Sequence, residues 1–397
     1  MRRGSLWTYL PLAFLLLSAC AAVDQFGERI YDGNRNSGLA LNQETLVNIL
    51  RASNLQPLNF VGISQVTGGQ SEQLTTGLPT ITIGPAQTVA QHQFQVANSV
   101  QSGVTGGYQA SPLVSTAFST GMLSPISPKT LAFLLATYPR EPVLFSVVES
   151  LTLRSRTSGR LIRLTNDPTM DRLDDDGEDR CMPLAKKADG QWFTAADKCS
   201  YALFLNLLGR LTNKGLTAEL IKSKAKPAVS SASKSGSGSD SSKPTDSAAS
   251  FEGRFCFDPT KAVVATAQPI CGTSGSATTV IMSFEDLGPV DLVMNLRSPT
   301  GVFNYYGQLL NRQPPVWHDY YYTYQGRNLI KQEPFLNVVR SGSVGCFVQV
   351  SYGNENYCVP LGSKHTALLM TLLVHLRNLN IQPTDLNSAF SVHLSGT

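Results

Sequence analysis

Six cysteines, Cys181, Cys199, Cys256, Cys271, Cys346 and Cys358, stand in three close couples from residue 181 onward. An even set of this kind in an exported chain reads as a disulfide framework. Its sequence order favours the pairs 181–199, 256–271 and 346–358. Each pair closes a short loop, and closing a loop of ~15 residues is worth ~3 kcal/mol in the chain-entropy picture. The competing reading is a metal site. No CxxC spacing occurs, and the five histidines (His92, His318, His365, His375, His393) are scattered, so no metal site is expected. With no thiol of the six left over, a cysteine nucleophile is disfavoured.

The framework presumes export, and the N-terminus supplies the signal. Met1-Arg2-Arg3 is followed by an almost wholly apolar run over 6–17, then Ser18-Ala19-Cys20. That is the layout of a secretory signal peptide. The apolar run is shorter than the ~20 residues a membrane-spanning helix needs. "LSAC" resembles the bacterial lipobox, which implies cleavage before Cys20 and acylation of its thiol. Several acyl chains at ~0.8 kcal/mol per buried CH2 make a firm anchor. Ala21, where retention signals place Asp, implies the outer membrane and its periplasmic face.

The chain has 397 residues, long enough for two domains. Its formal charge of +4 falls to +2 once Arg2 and Arg3 leave with the signal. Near-neutral charge gives no electrostatic case for nucleic acid. Residues 222–250, mostly Ser, Lys, Gly and Ala without apolar periodicity, read as a disordered linker. The expected organisation is a signal peptide over 1–19, a tether over 20–36, an N-terminal α+β module over 37–221, the linker, and a C-terminal α+β module over 251–397. The fold class expected is α+β, two small mixed modules. "LTLRSRTSG" (151–159) echoes "VMNLRSPTG" (293–301), each followed by a cysteine couple and a leucine-rich helix, which would fit a duplication.

Local signals place the elements. "LNQETLVNILRA" (41–52) reads as a helix capped by Asn42. Ser127-Pro128 and Ser298-Pro299 read as helix starts, with the serine as cap and the proline in the first turn. Ser363 reads as the cap of a helix running to 380. "EPVLFSVVESLTLRSRT" (141–157) reads as a buried strand, with a helix an alternative for its first half. Strands are expected over 76–85, 278–286, 290–296 and 390–396, with a hairpin turning at Gly353-Asn354. Residues 65–112 are low in charge and read as a loop region or as a β-rich surface that meets a partner. "DRLDDDGEDR" (171–180) reads as a solvated acidic loop. It lacks the carboxylate or amide that a calcium loop would place at Arg172.

No nucleophile elbow, phosphate-binding loop, dinucleotide fingerprint or zinc-protease motif is present, so no catalytic residue and no cofactor is assigned. "VWHDYYYTYQG" (316–326) concentrates Trp317, Tyr320, Tyr321, Tyr322 and Tyr324. Such a stretch is either a contact surface for protein or glycan or a hairpin whose tyrosines cover a sheet.

"NSGLALNQETLVNILRASNLQPLNFVGISQVTG" (36–68), "GMLSPISPKTL" (121–131) and "NLRSPTGVFNYYGQLL" (295–310) together resemble a family of uncharacterised proteobacterial outer-membrane lipoproteins, in which a similar helix, turn and RSxxG helix recur in this order. The resemblance implies an envelope location and carries no activity. The expectation is a lipid-anchored, non-catalytic structural or accessory protein of an envelope assembly. Its partners would be the membrane, through the acyl chains, and an envelope protein. A glycan hydrolase or a glycan-binding lipoprotein is the alternative.

Overall fold

A computed structural model describes residues 31, 34–72, 102–171, 181, 199–222, 251–262, 270–271, 278–284, 288–312, 317–324, 327–340 and 345–381. The expected signal peptide, Cys20, most of the tether, the strands over 76–85 and 390–396 and all but Lys222 of the linker lie outside them. The described residues form seven helices and several antiparallel sheets, a mixed α/β structure. Two compact units divide the chain. One joins Thr45–Leu58 to Thr120–Asn380, and the other comprises Met1–Glu44, Asn59–Ser119 and Ile381–Thr397.

The larger unit holds most of the core. It begins with the end of helix α1 (34–53), which starts earlier than the sequence suggested, so Asn42 lies inside it rather than at its cap. Helix α3 (Pro128–Thr137) starts as expected: Ser127 Oγ accepts from Thr130 N, and Pro128 opens the first turn. Helix α4 (Arg140–Val147) then runs directly into strand β3 (Val148–Ser155). The first half of the supposed strand over 141–157 is therefore helical. Strand β4 (Leu161–Thr165) and helix α5 (Ser200–Asn213) follow, then β5 (Leu216–Lys222), β6 (Phe251–Phe257), β7 (Ile270–Cys271), β8 (Thr279–Phe284) and β9 (Gly288–Leu296).

Two sheets are built from both sides of residues 222–250. β3 pairs with β9 in the four-stranded order β4-β3-β9-β8, and β5 pairs with β6 in the order β5-β6-β7. The expected module boundary at 222–250 thus falls inside one compact unit. The echoing segments meet in the first of these sheets, but their arginines diverge: Arg154 is an exposed strand residue, whereas Arg297 is buried.

α3 packs across β5 and β6 so closely that a Cβ on Gly253 would lie 2.2 Å from Lys129 N. Helix α6 (Pro299–Asn311) is capped by Ser298 Oγ, which accepts from Gly301 N. Its Gly307 lies against Ala52 and Ser53 of α1.

The chain then forms the hairpin of β10 (Trp317–Tyr324) and β11 (Arg327–Pro334) and the sheet of β12 (Val339–Arg340), β14 (Glu355–Pro360) and β13 (Cys346–Tyr352). The β13–β14 turn falls at Gly353 and Asn354, both at positive φ (58° and 65°). This is the backbone that a two-residue hairpin demands and that these residue types accept. Helix α7 (Lys364–Asn378) closes the unit. Its Met370 packs with Leu46, Leu50, Val348, Val350 and Val359. Ser363 stands at its N-cap but makes no capping bond; its Oγ accepts from Asn337 Nδ2 instead.

In the smaller unit, β1 (Val61–Glu72) pairs with β2 (Ser102–Pro112) as a two-stranded antiparallel ribbon, followed by the start of helix α2 (Thr116–Leu123). Phe60 stacks edge-on against Phe118 with ring centroids 5.7 Å apart.

Candidate functional site

The densest polar construction lies where α4 meets β3. A helix that passes into a strand with no loop leaves its last carbonyls without helical partners. Here each is answered. Leu144 O accepts from Val148 N. Phe145 O accepts from Asn166 Nδ2 at 2.7 Å, and Val147 O from Arg297 N at 2.8 Å. Arg297 Nη1 donates to Ser146 O and Val148 O, both at 3.1 Å, and Val148 O also receives Asn166 Nδ2 at 2.8 Å. Arg297 Nη2 donates to Asn166 O, which ties the two capping residues together.

A buried cation at a helix C-terminus also meets the negative end of the helix dipole. The guanidinium lies 4.0 Å from the centre of the Tyr305 ring. Burial lowers its pKa from the usual arginine value.

Three buried tyrosines extend the network. Tyr305 and Tyr201 hydroxyls lie 3.2 Å apart. Ser146 Oγ donates to Pro142 O at 2.5 Å, so Tyr306 is the donor in its own 2.5 Å bond to Ser146 Oγ. Burial pushes all three phenols up, which keeps them neutral.

A cleft of about 430 Å³ opens beside this cluster, lined by Glu149, Arg163, Asp167, Arg297, Asn304 and Gln308 among others. Asp167 serves a turn, because its Oδ1 accepts from Thr169 N and Thr169 Oγ1. Buried Asn166 also lines the cleft, and its Oδ1 has no hydrogen-bond partner among the described residues. Asp171, expected in a solvated loop, is buried instead. Its two carboxylate oxygens accept from Tyr201 N and Ala202 N and cap α5. Residues 172–180 lie outside the described residues.

The six cysteines pair in sequence order, 181–199, 256–271 and 346–358. Sulfur atoms of Cys256 and Cys271 gather with Glu219, but a disulfide offers a metal no thiolate. Trp317, Tyr320, Tyr321, Tyr322 and Tyr324 all fall on β10, the first strand of a two-stranded hairpin. His365 and His375, ten residues apart in sequence, separate in burial. His375 is exposed and bonds through Nδ1 to the Tyr138 hydroxyl, whereas His365 is buried edge-on to Phe335.

Sequence reading missed the Arg297–Asn166 pair. The one available signal was a charged residue wedged between the apolar end of a strand and a Ser-Pro helix start in "NLRSP". Among the described residues, no helix is long and apolar enough to cross a membrane. Comparison of the chain with protein-family models, curated proteins and solved structures gives no match.

Proposed function

We propose that the chain is a lipid-anchored structural or accessory component of an envelope assembly, on the periplasmic face of the outer membrane and without catalytic activity. A secretion or surface-polysaccharide system is the kind of machine it would serve. The observation that carries this reading is the joint presence of "LSAC" at Cys20 and three disulfides. Disulfides persist in oxidising compartments. The polar cluster at the α4–β3 junction supports a structural role, since Arg297 and Asn166 are occupied with backbone carbonyls.

The test is metabolic palmitate labelling, fractionation and mild crosslinking of cells expressing the tagged chain. Wild type should carry label, partition with membranes and recover a defined set of envelope proteins. Cys20→Ser should lose the label. A label-free wild type would refute the anchor, and a labelled protein without partners would refute the assembly role.

A second reading rests on the cleft beside Arg297. Glu149, Asp167 and the open acceptor of Asn166 suit a hydroxyl-rich ligand such as a glycan, bound or hydrolysed. Glycan retention lost in Asn166→Ala, or hydrolysis lost in Glu149→Gln, would favour it. Neither wild-type retention nor wild-type hydrolysis in a glycan screen would remove it.

A further inference from the structure

Between Arg51 and Lys129 the chain carries one Asp, Glu, Lys or Arg, which is Glu72. The β1–β2 ribbon lies inside this charge-poor run, and Glu72 ends its first strand. Its register sorts the sequence into two alternate sets. One set pairs Val61 with Pro112, Ile63 with Ala110, Val66 with Tyr108, Gly68 with Gly106 and Gln70 with Val104. The other pairs Gln65 with Gln109, Thr67 with Gly107, Gly69 with Thr105 and Ser71 with Gly103. The irregularity between Ile63 and Gln65 absorbs the one residue that would otherwise mix the sets. The first set is apolar until it ends at Gln70 and Glu72, and the second is small and polar throughout.

Alternation of apolar and polar residues is the signature of a strand with lipid on one side and water on the other. The lengths agree. Strands of 12 and 11 residues at ~3.3 Å per residue and a tilt of ~45° cover ~25–28 Å, against an apolar band of ~25 Å. A two-stranded ribbon cannot enter lipid alone, because its outer edges present unpaired amides and carbonyls. Among the described residues no third strand pairs with either edge. Closure must therefore come from other strands.

We propose that copies of this chain place their β1–β2 ribbons side by side, β2 of one against β1 of the next, to close a shared membrane-spanning β-barrel. This rests on the envelope reading insofar as the chain must reach the membrane. Copies of this chain are the fitting occupant for two reasons. Head-to-tail pairing of ribbons continues the same antiparallel alternation around a closed ring. The edges also carry no charge pattern that would select a different partner. At two strands per copy, a barrel of at least ~8 strands needs at least ~4 copies.

The test uses the full chain extracted from membranes in mild detergent. Tagged and untagged copies are co-expressed, the mass of the purified particle is measured, and the particle is added to a planar lipid bilayer. The expected result is a particle of four or more copies that retains both forms and conducts. Val66→Arg, in the lipid-facing set, should abolish particle and conductance, while Thr67→Arg, one residue along, should keep the particle. A monomer, a particle completed by another protein, or equal behaviour of the two variants would overturn the proposal. Palmitate labelling of the same preparation decides the anchor separately. A labelled monomer refutes the barrel alone, and an unlabelled conducting ring refutes the anchor alone.

Discussion

Replacing Arg297 with methionine keeps an unbranched apolar stem and removes the guanidinium, with its charge and donors. Three side-chain hydrogen bonds go, to Ser146 O, Val148 O and Asn166 O. Val148 O keeps Asn166 Nδ2 at 2.8 Å, so two buried carbonyls lose the donor that the structure gives them. At ~1–3 kcal/mol for each orphaned buried group, the cost is ~2–6 kcal/mol. Loss of the contact with the Tyr305 ring adds ~1 kcal/mol. Relief from burying a charge works in the opposite direction. The net expectation is a loss of ~3–5 kcal/mol. Arg297→Lys retains a cation but not the planar fork, and should lose about half as much. Urea unfolding under non-reducing conditions measures both. With a slope of ~3 kcal/mol/M, the methionine variant should shift the midpoint down by ~1–2 M. Hydrogen exchange should show α4 opening first. A midpoint within ~0.3 M of wild type, with α4 still protected, would refute the view that Arg297 holds the α4–β3 junction.

Asp171→Asn halves the acceptor capacity at the start of α5, where two amides meet one buried carboxylate; a loss of ~1–3 kcal/mol is expected by urea unfolding. Gly307→Ala would place a Cβ 2.5 Å from Ser53 N and should destabilise by ~1–3 kcal/mol despite better helix propensity. Gly209→Ala in α5 meets nothing within 4 Å and should instead stabilise by up to ~1 kcal/mol. Burial raises the Tyr201, Tyr305 and Tyr306 phenols above the ordinary value of 10.0. The unfolded chain therefore gives up these protons first. The stability they contribute is whole below pH 10 and falls above it, by ~1.4 kcal/mol per pH unit for each tyrosine. Urea midpoints at pH 9 and 11 read this directly, and Tyr306→Phe should flatten the slope.

Local chemistry was legible in the sequence wherever one residue type has one use. Ser127-Pro128 and Ser298-Pro299 start helices because a serine oxygen answers an amide three residues on, and proline has no amide to leave unanswered. Gly353-Asn354 turns a hairpin because both accept positive φ. The cysteines pair with their neighbours because each couple closes a short loop. Legibility ended where the answering group is remote. Nothing within "EPVLFSVVES" marks a helix end, since its carbonyls are capped by Asn166 and Arg297 from elsewhere in the chain. Ser363 fails as a cap because Asn337 engages it. Sheet partners on either side of 222–250 were equally hidden, because strand pairing over such separation leaves no local trace.

The two isolated ribbons separate by the same kind of reasoning. In β10–β11 the alternate sets are both mixed: Asp319, Tyr321 and Trp317 fall with Gln332, Ile330 and Pro334, and Tyr320 and Tyr322 fall with Lys331 and Leu329. Charges on both sets exclude a lipid-facing side, because a charge at the bilayer midplane costs ~2–4 kcal/mol. Aromatics interleaved with charges suit instead an aqueous contact, where tyrosine offers area and a hydroxyl at small entropic cost. The two ribbons are therefore sorted differently: alternation parts apolar from polar residues in β1–β2, whereas charges enter both sets of β10–β11. On the barrel proposal, arginine introduced at Val66 and alanine at Tyr322 should fail differently: the first in assembly within the membrane, the second only in recovery of a crosslinked envelope partner.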